Sequence, residues 1–356
     1  MTETDLRSAY AGSTGRDASL ATVTRLPGGA GNRVYWRVGE GGRTAVVMEL
    51  PPEPGKSEEV SKDAGPAELP FLNVGRYLAR LGVRVPRVLL DNAHGGYLVI
   101  EDLGDQTLEA ALDNPAAGGR RQLYAAAIRQ LARLRAHAER DPDPGCIAYG
   151  RAFDFDLYQW EFEHFLEWGL LGRGARPTDA ELAELRAAFT AVSHELAAAP
   201  RGFTHRDYQS RNIMVVPESG GGFEQVVIDF QDALQGPRQY DLVALLRDSY
   251  VELERPLVDE LLRLWLERFA AESPAEAARG GPELDEAGFV AFFDLLTVQR
   301  KLKDAGRFVF IDRVKKNPSF LAHIPASLRY VKQALARLPQ LGGVAAILAR
   351  HVPELR

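Results

Sequence analysis

Residues 203 to 233 read FTHRDYQSRNIMVVPESGGGFEQVVIDFQDA, and this stretch concentrates the side chains that can do chemistry. His205, Arg206 and Asp207 are adjacent, Asn212 follows Asp207 by five residues, and Asp229 ends a later apolar run. Phosphoryl transfer from ATP needs a carboxylate to take the proton of the acceptor hydroxyl, and oxygen ligands for the Mg²⁺ that neutralises the phosphates. Mg²⁺ takes few protein ligands, one or two carboxylates completed by phosphate oxygens. Asp207 suits the base, and Asn212 and Asp229 suit the metal. Between Asn212 and Asp229 lie IMVV, a glycine-rich PESGGGFE and QVVI, which predict a β-hairpin that folds Asp229 back beside Asn212.

The elements that must position these groups fall into two regions. Over residues 21 to 50 the β-prone runs ATVTRL, RVYWRV and TAVVMEL alternate with the turn-formers GGAGN and GEGGR, predicting an antiparallel sheet. PAELPFLNVGRYLARLG carries a helical period and ends at Gly82, and VPRVLLDNAHGGYLVIEDLGD reads as two more strands. A small β-rich lobe with one helix is therefore expected over residues 1–103. From 104 to 356 long helical periodicities take over, among them RQLYAAAIRQLARLRAHAE, FDLYQWEFEHFLEWGLL, DAELAELRAAFTAVSHELAAA and QYDLVALLRDSYVEL. The expected fold is α+β and bilobal, with catalytic loop, metal site and substrate site in the larger, mostly helical lobe.

Composition narrows the function. The 356 residues are 46% hydrophobic and 26% charged, enough for more than one domain, and the net charge of -6 argues against a nucleic-acid partner. The single cysteine, Cys146, cannot pair within the chain, and no Cys/His spacing suggests zinc. MTETDLRSAYAGSTG lacks the basic start and apolar run of a signal peptide, and the most apolar window, FVAFFDLLTV, is too short to span a bilayer. A cytoplasmic protein with no membrane segment is expected, and nothing in the sequence points to a protein partner.

The order His-Arg-Asp, Asn five residues on, then Asp on the far arm of a hairpin resembles the protein-kinase motif set. Asp229 is however followed by Phe-Gln rather than Phe-Gly, and no segment resembles an activation loop. ALQGPRQYDLVALLRDSY instead resembles the small-molecule kinases of the aminoglycoside phosphotransferase superfamily. Within it the chain is similar to the bacterial anomeric kinases that phosphorylate N-acetylmuramate and N-acetylglucosamine at C1 during cell-wall recycling. NRVYWRV (32 to 38), VVMELP (46 to 51), YLVIEDLGD (97 to 105), WEFEHFLEWGLL (160 to 171), HRDYQSRNIM (205 to 214), DFQDALQGPRQYDLVALLRD (229 to 248) and QRKLKDAGRF (299 to 308) carry that resemblance in order.

The resemblance implies a protein-kinase-like fold that uses ATP and Mg²⁺ on a small-molecule sugar. It implies that Gly28, Gly29, Gly31 and Asn32 cover the ATP phosphates and that Ile100, Glu101 and Leu103 form the adenine hinge. No lysine stands in TAVVMEL, where protein kinases hold the α/β-phosphates. The two-residue period puts Arg33, Tyr35 and Arg37 on one face, where an arginine replaces that lysine or the face is solvated. Asp241 caps a helix or, by the resemblance, braces the catalytic loop with His205 and Arg206. Residues 299 to 316 hold seven Lys/Arg against two Asp, a net +5, read for the most part as a solvated helix face. Gln299, Arg300 and Lys303 match the family segment and are candidates for sugar contact, as are Asp207 and Asp232; Asp232 reads equally as a plain loop carboxylate. That local charge favours a neutral or anionic acceptor over a polycationic aminoglycoside. Another small-molecule kinase of this fold and a nucleotide-binding pseudokinase are the alternatives. His164 and the aromatics around it read as a core face.

Overall fold

A computed structural model describes residues 1–27, 33–51, 68–114, 118–275 and 285–356, and opens with a helix that the polar N-terminal sequence conceals. Helix α1 (Glu3–Thr14) is started by a capping box: Thr2 Oγ1 accepts from the Asp5 amide and Asp5 accepts from the Thr2 amide. Its apolar stripe is only Leu6, Ala9 and Tyr10, at spacings of three and four, and all three are buried. They pack with Val38, Ala45, Val47 and Val99 of the sheet, so the lobe expected to hold one helix holds two. The stripe is too narrow to raise the hydrophobicity of an acidic stretch; the Thr-x-x-Asp cap was its only sequence signal.

The chain folds into two units, residues Met1–Thr107 with Met214–Asp232, and Leu108–Ile213 with Ala233–Arg356. In the first, strands β1 (Thr22–Arg25), β2 (Val34–Glu40), β3 (Arg43–Glu49), β4 (Val88–Asn92) and β5 (Tyr97–Glu101) form an antiparallel sheet in the order β1-β2-β3-β5-β4. Register places Trp36 opposite Val47 and Val38 opposite Ala45, on the face covered by α1; Tyr35 and Arg37 therefore point to the other face. Helix α2 (Pro70–Arg80) stacks Phe71 on Phe230 at 5.0 Å between ring centres. This contact, with Val227 N donating to Arg84 O (2.9 Å) and Arg84 Nε donating to Glu224 (3.1 Å), holds residues 214–232 to the first unit. A division at residue 103 that gives Asp229 to the helical lobe is thus not how the chain packs. Side-chain stacking and backbone hydrogen bonds such as Val227 N to Arg84 O and Val215 N to Gln106 O decide it, and neither is visible as a composition change.

The second unit contains α3 (Leu108–Ala111), α4 (Arg120–Arg140), α5 (Phe155–His164), which runs on into a π-helical turn over 165–170, and α6 (Asp179–Ala198). Strand β6 (Gly202–Thr204) leads into the loop that carries Asp207 and Asn212. The chain then forms the hairpin β7 (Ile213–Pro217) and β8 (Phe223–Val227), and returns in β9 (Leu234–Gly236), which pairs with β6. Helices α7 (Tyr240–Leu246), α8 (Arg255–Glu272), α9 (Glu286–Lys315), α10 (Ile324–Leu335) and α11 (Gly342–His351) complete it. Helix α7 is shorter than its periodic sequence predicts, because Asp248 accepts from the Tyr250 amide (3.1 Å) and turns the chain. Helix α9 crosses the unit centrally, with Gln299, Arg300 and Lys301 completely buried, so the solvated-face reading of the basic run fails at Lys301. Among the described residues no helix is long and apolar enough to cross a membrane.

Candidate active site

The candidate residues divide between the two units. In the second, the loop from β6 to β7 is held in one conformation by hydrogen bonds that its own sequence supplies. Asp241, in the first turn of α7, accepts from the His205 amide at 2.8 Å with one oxygen and from the Arg206 amide at 2.9 Å with the other. Helix capping and loop bracing were the two readings of Asp241, and these bonds are to the loop. Arg206 has φ of +78°, a left-handed conformation that a non-glycine residue adopts at a cost of about 1–3 kcal/mol unless neighbours hold it there. His205 is fully buried, and its Nδ1 accepts from the Asp207 amide at 3.2 Å. Asn212 Nδ2 donates to the Asp207 carbonyl at 2.8 Å, closing the loop on itself.

Asp207 presents its carboxylate from this loop with 36% of its side chain exposed, whereas its partner Arg300 is fully buried and donates to it at 3.2 Å. Burial alone pushes the Asp207 carboxyl up. The positive charges of Arg300, Lys303, Arg206 and His205 outweigh that push and hold it below the usual carboxylate range. The carboxylate is consequently ionised and able to accept a proton. The Arg300 guanidinium also lies 4.8 Å from the centre of the Tyr240 ring, and its Nε and Nη1 have no hydrogen-bond partner among the described residues.

Gln299 and Lys303 share α9 with Arg300, one turn apart. Gln299 donates through Nε2 to Glu161 of α5 at 2.6 Å, and both residues are completely buried. Lys303 is nearly buried, with Nζ 3.3 Å from Asp304. Glu161 went unremarked in the sequence because WEFEHFLEW reads as an amphipathic core helix. Burial pushes its carboxyl up, against the pull of Lys303, Gln299 and Arg300. His164, on the same helix, is buried as a core residue and stacks on Trp160 at 5.2 Å, but Trp160 itself is exposed, so the core-face reading does not extend to it.

In the first unit, the two arginines of the β2 face differ. Arg37 forks to Asp102 (2.6 and 3.0 Å) and to Asp105 (3.0 and 2.8 Å), leaving one N–H of five uncommitted. With 22% of its side chain exposed, it ties the sheet to the turn after β5. Asp102 also accepts from the Gly104 amide at 3.0 Å, so the residues that follow β5, Asp102 to Gly104, are braced, while Ile100 and Glu101 end the strand. Glu101 directs its carboxylate away to Arg84 (2.6 Å) and to the Arg87 amide (3.1 Å), leaving only its backbone for a hinge role. Arg33 hydrogen-bonds Tyr35, and its buried Nε has no hydrogen-bond partner among the described residues. Gly28, Gly29, Gly31 and Asn32 lie outside the described residues.

Asp229 sits at φ +63° and accepts from Gln231 Nε2 at 2.8 Å, while Asp232 is half-buried with Gln231 beside it at 3.5 Å. Gln231 takes the place where protein kinases have glycine, and its amide orients the candidate metal carboxylate. Asn212 gives its amide N–H to the loop, and the side-chain oxygens of Asn212 and of Asp229 are each of the hard donor type that Mg²⁺ takes. Among the described residues no cluster of three or more His, Cys, Asp or Glu could hold a metal.

Comparison with known proteins bears on the same residues. The model of the phosphotransferase enzyme family matches residues 22–280, which include the catalytic loop and hairpin. The chain belongs to that family. It is 32% identical over 319 residues to the N-acetylmuramate/N-acetylglucosamine kinase of Pseudomonas aeruginosa, covering 89% of this chain and 85% of that one. To the enzyme of the same name from Neisseria meningitidis it is 31% identical over 304 residues, covering 84% and 85%. Among solved structures, a microcompartment-associated aminopropanol kinase superposes with a TM-score of 0.59 at 18% identity, covering 95% of this chain and 98% of that one. An ADP-bound aminoglycoside phosphotransferase gives 0.55 at 12%, covering 92% and 98%. These superpositions show a shared protein-kinase-like fold.

Proposed function

We propose that this protein transfers the γ-phosphoryl group of ATP to the anomeric C1 hydroxyl of N-acetylmuramate, N-acetylglucosamine or both, in the cytoplasm, giving the sugar 1-phosphate. The observation that carries the reading is the loop geometry: an ionised, partly exposed Asp207 held by Asp241, Asn212 and Arg300 in a chain whose relatives are named for these two sugars. Asp207 takes the proton of the sugar O1 as the O1–phosphorus bond forms and the bond from the γ-phosphorus to the β,γ-bridging oxygen breaks, releasing ADP. An anomeric hydroxyl is more acidic than an ordinary alcohol, so a carboxylate is a sufficient base. Asn212 and Asp229 would hold Mg²⁺, whose contribution when bound is to neutralise phosphate charge. Arg33 is the arginine left to contact phosphate. Arg300 and Lys303 are proposed to face the sugar side of Asp207, and their charge suits a lactyl carboxylate as well as neutral hydroxyls. Gln299 would act through Glu161, and Asp232 would accept from sugar hydroxyls.

The test is incubation with ATP, MgCl₂ and a panel of N-acetylglucosamine, N-acetylmuramate, N-acetylgalactosamine, glucose and kanamycin, read by ³¹P NMR with proton coupling. The expected product shows phosphorus coupled to an anomeric proton and is lost in mild acid. An acid-stable phosphate on a ring hydroxyl or on kanamycin would overturn the assignment of C1. ATP binding with no transfer to any acceptor would make the chain a pseudokinase.

A further inference from the structure

The catalytic loop has two ends with different tasks, and a different carboxylate grips each. Asp241 and Asp248 are seven residues apart, two helical turns, so they fall on the same side of α7 and of the turn that ends it. Asp241 holds the His205 and Arg206 amides, the Asp207 end. Asp248 is completely buried; one of its oxygens accepts from both the amide (2.8 Å) and the hydroxyl (2.5 Å) of Ser210, and the other from the Tyr250 amide. The next residue, Arg211, is fixed from two further directions: it forks to Glu109 of α3 at 2.6 and 3.0 Å, and its guanidinium lies 3.7 Å from the centre of the Tyr250 ring. Tyr250 is itself set by the Asp248 bond and by an edge contact with His323 at 4.7 Å.

Ser210 and Arg211 immediately precede Asn212. With both anchored, Asn212 has little freedom beyond the side-chain torsions that its bond to the Asp207 carbonyl already fixes. A fully buried carboxylate is unfavourable unless hydrogen bonds compensate it, and a plain core position would be filled at lower cost by an apolar side chain. Three donors converge on Asp248, two of them from the loop, which makes it a support for that loop rather than a packing residue.

We infer that Asp248 is a positioning residue for phosphoryl transfer, fixing the Asn212 end of the catalytic loop through Ser210 while Asp241 fixes the Asp207 end. This rests on the phosphotransferase reading above. It separates two effects: loss of Asp248 should weaken metal-dependent nucleotide binding and turnover, and leave recognition of the sugar in place.

The experiment compares Asp248→Asn and Ser210→Ala with wild type, and with Asp294→Asn as a control for the loss of a buried carboxylate. Asp294 pairs with Arg255 (2.8 Å) and Arg337 (2.7 Å) and has no part in the loop. Asp248→Asn keeps the size of the side chain but cannot accept from all three donors. The expected result is kcat at least tenfold lower, sugar KM within twofold, and calorimetric affinity for ATP in the presence of MgCl₂ at least fivefold weaker. Affinity for ATP in EDTA should stay within twofold. Ser210→Ala should move the same quantities in the same direction by less, and Asp294→Asn should lower the melting temperature while keeping kcat. A folded Asp248→Asn or Ser210→Ala protein with kcat and metal-dependent ATP affinity both within twofold of wild type would overturn the inference; if Asp248→Asn does not fold, Ser210→Ala decides. A wild type that phosphorylates no sugar would refute the proposed function instead, and the comparison of ATP binding with and without magnesium would still decide the role of Asp248.

Discussion

Replacing Gly306 by alanine sets two well-defined effects against each other. At an open helical position the change favours folding by about 0.8–1 kcal/mol, because alanine loses less backbone freedom. Gly306 is not open: a Cβ there would stand 2.9 Å from Phe165 Cα, 3.1 Å from His164 O and 3.3 Å from Phe165 N. All three are backbone atoms of the segment where α5 gives way to its π turn, so no rotamer change relieves the contact. Helix α9 must retreat by roughly half an ångström, and overpacking of this kind costs about 1–3 kcal/mol. Subtracting the propensity gain leaves a net loss of up to about 2 kcal/mol. The same helix carries Arg300, whose bond to Asp207 is already 3.2 Å long, and misplacement by 1 Å can cost about a hundredfold in rate. Gly306→Ala should therefore melt up to about 3 °C below wild type by scanning fluorimetry and show kcat about tenfold lower in a coupled ADP-release assay. Gly342→Ala, at the start of α11 with nothing within 4 Å of its Cβ, should melt at or above wild type. A Gly306→Ala protein that melts no lower than wild type and turns over within twofold would refute the claim that this crossing sets the position of Arg300.

Asp207→Asn should lower kcat by about three orders of magnitude or more, with ATP affinity little changed; retention of a tenth of wild-type activity would refute its role as base. Arg37→Met should lower the unfolding free energy by about 1–3 kcal/mol by leaving the buried Asp102 unpaired, the range being discounted for the partial exposure of Arg37. Its ATP affinity should stay within threefold, whereas Arg33→Met should weaken ATP binding tenfold; the reverse pattern would return the phosphate role to Arg37. Burial of His164, with Arg307 and Lys303 nearby, pushes its imidazole down to about 4. An unfolded histidine takes its proton near 6.5, so between these values the unfolded chain binds more protons and folding weakens as pH falls. At pH 5 the term is about 2 kcal/mol, and it is absent above pH 7. Chemical denaturation at pH 7.5 and 5.0 should show that difference shrinking in His164→Phe, and equal pH dependence in the two proteins would exclude His164 as its source.

What could be read from the chain alone was whatever is local in sequence. The order Asp207, Asn212, Asp229, the hairpin between the last two, and the five strands of the sheet all rest on turn residues and periods of a few positions. The family resemblance likewise rested on contiguous motifs, and the match over residues 22–280 agrees with it. Reading failed where a short stripe did all the packing, as in α1, and where charge was taken as a sign of exposure. Lys301 looks like part of a solvated face because its partners, Ser249 and Asp304, lie on another element and one turn away.

Tertiary structure alone decided how each candidate is employed. Arg33 and Arg37 are equivalent by strand period, yet four bonds to Asp102 and Asp105 commit Arg37 to holding a turn. Asp241 reads as a helix cap or a loop brace until the loop it holds lies against it, and Asp248 draws no notice in the sequence at all. Sequence determines which groups are available and their local geometry, because dihedral preferences and periodicity act over a few residues. Which groups are neutralised, strained or left to react is set by partners brought from tens to more than a hundred positions away, as Arg300 is to Asp207 across 93 residues.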